Sequence, residues 1–151
     1  MTYSNKGQPV NQYRQVSAQS EIMDADPHRL IQMLMEGALD KIAAAKGFMI
    51  RGVVAEKGLQ ISFAISIVDG LRMSLDKELG GDIAANLDAL YDYMGRRLLA
   101  ANVENNPAYL DEVASLIKEV KSAWDAIPAN VRKQAKQDQA LPNHAIVNVI
   151  G

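Results

Sequence analysis

Two histidines, His28 and His144, and the lack of any cysteine bound the chemistry open to this 151-residue chain. A helical scaffold can house a di-iron centre through paired Glu-x-x-His motifs on facing helices. Neither histidine has a glutamate three residues before it. Without cysteine, disulfide frameworks, thiolate zinc sites and cysteine nucleophiles are excluded. No Gly-Lys-Ser/Thr phosphate loop occurs, since Gly58 follows Lys57. "LGGD" at 79–82 reads better as a helix stop followed by a cap than as a phosphate cradle. Asp24 and Asp26 look like paired carboxylates, but in "DADPHRL" a turn and an N-cap account for both. His28, on the first helical turn, is expected at the surface. The sequence therefore predicts no catalytic site, no metal and no cofactor.

The remaining polar signal is Arg96-Arg97 within "YDYMGRRLLAAN", residues 91–102. Such a pair is commonly a solvated face, and it can also clamp acidic or carbonyl groups at the rim of a groove. Sixteen basic and 18 acidic residues give a net charge of -2, unlike the one-sided basic charge of a nucleic-acid binder. The polar start "MTYSNKGQPVNQ" lacks a signal-peptide core, and no apolar run approaches membrane-spanning length. The expectation is a cytoplasmic protein with neither membrane insertion nor nucleic-acid binding. Aromatics are 5% of residues, and Ala, Leu, Ile, Val and seven Met supply the apolar content, which favours helix over sheet.

Residues 1–25 are rich in Gln, Asn and Ser and are expected to form a flexible N-terminal segment. Asp26 and Pro27 then start a first helix that ends near 51–52. Its Leu30, Ile31, Leu34, Ala38, Ile42, Ala45, Phe48 and Met49 fall within an arc of roughly 120°. A second helix is predicted from about Val54 to Leu79, stopped by Gly80 and Gly81, and Asp82 caps a third that reaches about Val103. Asn106 and Pro107 open a fourth, ended by Pro128. Four such helices with short loops predict an all-α, antiparallel four-helix bundle over 26–127. Residues 128–151 are expected to add a short terminal helix and a mobile tail, whose "AIVNVI" at 145–150 can pack somewhere.

The fourth helix carries one ordinary stripe: Tyr109, Val113, Leu116, Ile117, Val120, Ala123, Trp124 and Ile127. The second is different. Ile61, Phe63, Ala64, Ile65, Ile67, Val68, Leu71, Leu75 and Leu79 sweep about 200°, roughly twice what a bundle core asks for. In the third, Ile83, Leu87, Leu90, Met94, Leu98 and Ala101 form the core stripe. Tyr93, Ala89 and Ala100 add a second strip, and Leu99 with Val103 a third. Either these two helices are central or covered by the termini, or the surplus is a groove for a partner helix. The candidate partner-binding residues are Ile61, Ile65, Val68, Leu71, Tyr93, Arg96, Arg97, Leu99 and Ala100. Tyr13 joins them, because Val10, Tyr13 and Val16 can line one side of a short segment that covers the empty groove.

"QYRQVSAQSEIMDADPHRLIQMLMEGAL", "ISIVDGLRMSLD", "NLDALYDYMGRRLLAAN" and "VKSAWDAI" together resemble the flagellin-specific export chaperones, the FliS family. The resemblance runs from about Tyr13 to Ile127. It departs in the tail beyond Pro128 and at Met35, where an aromatic residue is common. The resemblance implies a cytoplasmic helical bundle, not an enzyme, that binds the C-terminal helical segment of monomeric flagellin. It implies that the chaperone holds this client off premature polymerisation and helps deliver it to the membrane-bound flagellar type III export gate. The alternative is a structural helical protein that homodimerises through its surplus apolar face.

Overall fold

In the computed structural model, residues 26–128 are described, and they are all-helical, with no strand among them. Helix α1 spans Pro27–Arg51, α2 Val54–Met73, α3 Lys77–Glu104 and α4 Pro107–Asp125. The expected terminal segments, the extra short helix and Tyr13 lie outside the described residues.

Local chemistry sets most boundaries. The Asp26 carboxylate accepts from the Arg29 amide at 2.7 Å, and Pro27 occupies the first turn without losing a hydrogen bond. Gly52, at φ 75°, ends α1 in the left-handed region that glycine enters at little cost. Asn106 accepts from the Ala108 amide at 3.0 Å, and Pro107 opens α4. Between α2 and α3 the sequence expectation is corrected. Helix α2 ends at Met73, where the Ser74 hydroxyl donates to the Leu71 carbonyl at 2.6 Å. Asp76, not Asp82, is the N-cap of α3, accepting from the Leu79 amide at 3.0 Å. The helical path is nevertheless broken at the glycine pair as expected: Gly81 (φ 53°, ψ -132°) is non-helical and separates a short first turn of α3 from the rest of it.

The helices share one core. Met35, Ala38, Ile42, Ala45 and Met49 enter it from α1, and Ile61, Ala64, Val68 and Leu71 from α2. Tyr91, Met94, Leu98 and Ala101 enter from α3, and Leu110, Val113, Ile117 and Trp124 from α4. Burial pushes the Tyr91 hydroxyl up to about 12, so it stays neutral.

Polar contacts record how the ends meet. Gln32 near the start of α1 donates to Asp125 at the end of α4, at 2.8 Å. Lys46 near the end of α1 pairs with Asp111 near the start of α4, also at 2.8 Å. Buried Lys57, in the first turn of α2, donates to the Asn102 carbonyl and the Asn105 side chain, each at 3.1 Å. Its charge thus lies on the free carbonyls closing α3, where a cation is favoured.

His28 overturns its sequence reading. It is 3% exposed, its ring stacked on Trp124 with centroids 5.2 Å apart. The Trp124 indole N–H donates to the His28 carbonyl at 2.9 Å. This pair joins the first turn of α1 to the last turn of α4.

Candidate partner-binding surface

Each side of α2 opens differently. Its core line, Ile61, Ala64, Val68 and Leu71, is fully covered. Partner-binding roles for Ile61, Val68 and Leu71 are therefore corrected: the apolar sweep of α2 includes the core line itself, and these three side chains are spent there. The surplus remains on the flanks. Toward α3 stands half-buried Ile65, and toward α1 stand Phe63 and Ile67.

Ile65, Tyr91, Gly95 and Leu99 line a groove of about 210 Å³ between α2 and α3, with Asp69, Arg72, Asp92 and Arg96 around them. Leu99 is 55% exposed, and Val103, one turn further on the same face, is 77% exposed. A β-carbon built on Gly95 meets nothing within 4 Å, so the groove stays open at that position.

The charges beside this groove are cross-linked. Arg72 of α2 holds Asp88 of α3 at 2.7 Å and Asp92 at 3.2 Å. Arg96 meets the other oxygen of Asp92 at 3.0 Å, and Lys77 meets Asp88 at 3.4 Å. Hydrogen bonding to Arg72 is the main cause that holds the Asp88 carboxyl below its ordinary value, and the same bond raises Arg72. The network ties α2 to α3 beneath the groove, while Arg96 stays 71% exposed on its side chain and can swing toward an incoming group.

Tyr93, Arg97 and Ala100 lie on a different side of α3, toward α4. The Tyr93 hydroxyl donates to Glu112, and Arg97 Nε donates to its other oxygen at 2.7 Å. The Arg97 guanidinium lies 3.7 Å from the centre of the Tyr109 ring and 5.9 Å from that of Tyr93. The sequence puts Tyr93 and Leu99 on separate apolar strips, and the structure gives each strip its own seam, Tyr93 with Arg97 toward α4 and Leu99 toward α2. Ala100 is half-buried, two turns further along the same face of α3 as Tyr93. What the sequence missed is Glu112, which reads as one more solvated acid until α4 is laid against α3.

Hydrogen bonds from Tyr93 first, and then from Arg97, hold the Glu112 carboxyl below its usual value of 4.5. The stabilisation from Glu112 is therefore fully present above pH 4.5 and is lost as pH falls below that value through the folded pKa. Glu112→Gln should melt slightly earlier than the parent protein near neutrality and converge on it toward pH 3, so that its acid limb is flatter. An acid limb identical to that of the parent protein would contradict the assignment. The effect is small, because the cluster is solvent-screened.

Among the described residues, no group of three or more His, Cys, Asp or Glu side chains is placed to hold a metal ion. No helix among them is long and apolar enough to cross a membrane. All-helical architecture with apolar seams between neighbouring helices defines the class of the described residues. Within that class, residues 9–131 match the family model described as flagellar protein FliS, and the chain belongs to the FliS family. It is 52% identical to the flagellar secretion chaperone FliSB of Pseudomonas aeruginosa, over 78% of this chain and 94% of that relative. It is 46% identical to flagellar secretion chaperone FliS of Salmonella typhimurium, over 78% of this chain and 88% of the relative. Identity to the FliS of Vibrio cholerae is 45%, over 77% and 85%. These relatives are named as chaperones, not enzymes.

Proposed function

We propose that this protein is a cytoplasmic export chaperone that binds the C-terminal helical segment of monomeric flagellin. In this reading it keeps the segment from polymerising early and aids its delivery to the flagellar type III export gate. The described helices act as an antiparallel four-helix bundle whose flanks stand in for the client's filament neighbours. The observation that carries the reading is the line of Ile65, Leu99 and Val103 along the α2/α3 seam, apolar, a helix face long and left partly open. A soluble chain rarely leaves such a line exposed without a partner. The names of the relatives supply the client's process: each is a flagellar secretion chaperone.

A disordered client that folds on binding spends roughly 2–5 kcal/mol of gross interaction energy on ordering, so contact along a whole helix face is needed. The seam suits helix-in-groove recognition, and no sheet edge exists among the described residues for strand addition. Circular dichroism of a mixture with a flagellin C-terminal peptide should show more helix than the sum of the separate components. A spectrum equal to that sum would count against coupled folding.

A further inference from the structure

The other flank of α2 carries a second apolar seam that the client-binding reading does not use. Leu34 and Lys41 of α1 and Phe63, Ser66, Ile67 and Gly70 of α2 line a groove of about 340 Å³. Phe63 is 45% exposed, covered on one side by the Lys41 ammonium 5.1 Å from its ring centre. A β-carbon on Gly70 would meet nothing within 4 Å, and one on Gly37 would meet only Ile67 at 3.6 Å. The missing side chain at Gly70 thus leaves room for a peptide to lie close to α2, while Gly37 lets Ile67 pack against α1.

We propose that residues 145–150 of this same chain, "AIVNVI", occupy the α1/α2 seam. Three observations point to this occupant. The first is where the described chain ends. Trp124 and Asp125 are held against His28 and Gln32 at the start of α1, so the chain leaves Pro128 at the same end of the molecule as Leu34 and Gly70. The second is length. From Pro128 the path crosses α1 and rises along the seam, two helix spacings of ~8–10 Å and seven residues of α2 at ~1.5 Å each. Residues 129–144 span up to roughly 50 Å when extended, and ~20–24 Å as a freely varying chain, so the segment reaches Ser66. The third is chemistry. "AIVNVI" carries five apolar side chains and no charge, and it follows the residue, 131, at which the family match stops. The seam is an apolar surface of matching character within the segment's tether.

The chain has no cysteine, so placed pairs report the contact directly. Ser66→Cys in the seam is combined with Val147→Cys in the full-length protein, and the control pair joins Val147→Cys to Ser115→Cys on the exposed face of α4. Under mild oxidation the first pair should close an intramolecular disulfide roughly tenfold or more faster than the control, since docking raises effective concentration above that of a free tether. Adding Ile146→Asp and Val149→Asp should bring its rate down to the control's. Equal rates for the two pairs, or a rate indifferent to the added aspartates, would overturn the proposal. So would disulfides that join two copies of the protein, which would make the occupant a neighbour's segment.

Discussion

Met94→Ala lowers the stability of the fold by ~2–5 kcal/mol, the cost of deleting a large core side chain that its neighbours cannot replace. Met94 is fully buried in the shared core with Tyr91, Leu98 and Ala101 of its own helix. Truncation to alanine leaves a void lined by close-packed side chains, so lost contacts add to lost transfer energy. A methionine adapts to irregular space, and partial collapse of the site would bring the value toward the lower end. The check is a denaturant melt of the variant beside Tyr93→Ala. Tyr93 is half-buried and sits on the α4 seam, so its truncation should cost less. A variant at Met94 that melts like the parent protein would mean that α3 is rotated relative to this description.

Leu99→Asp has the opposite signature. Leu99 is more than half exposed and stands in the α2/α3 groove, so a carboxylate there disturbs little of the free protein, within ~0.5 kcal/mol as for most surface changes. In a complex the same carboxylate would have to be desolvated against an apolar client face, beside Asp92 and Asp69. Affinity for flagellin should fall by roughly 10- to 30-fold or more, the ~1.4–2 kcal/mol or larger loss expected at a central contact. The melting curve and a titration on one sample separate the two effects. Unchanged affinity together with an unchanged melt would remove the α2/α3 groove from the client-binding surface.

The helices were legible where local chemistry alone decides. Asp26-Pro27, Gly52 and Asn106-Pro107 each fix a helix end through a cap or a φ preference within a few residues. The α2/α3 boundary was not, because two local signals compete there. Gly80-Gly81 reads as a stop and the path does break at Gly81, yet α2 has already ended at Met73 and the Asp76 carboxylate caps a short helical turn before the glycines. His28 was misread for another reason: its cover, Trp124, lies 96 residues away, and nothing near His28 in sequence announces it.

The surface was half legible. The surplus of apolar residues on α2 and α3 is visible from periodicity; its division into core and flank was legible on α3, where Met94, Leu98 and Ala101 are buried, but not on α2. Ile61, Val68 and Leu71 became core because α1 and α3 close on α2 from either side. Leu110 joined the core from a position outside the stripe that was read for α4. Tyr93 and Leu99 diverged because each neighbour of α3 takes one of its flanks. Periodicity gives the width of an apolar arc; only the neighbouring helices say which part of it remains open.

The central claim is that the α2/α3 seam holds the C-terminal helical segment of flagellin. Calorimetric titration of the full-length protein with monomeric flagellin, and with flagellin lacking that segment, tests it most directly. The account predicts saturable binding to the intact client and loss of that binding on truncation. Equal binding to both forms, or binding to neither, would contradict it.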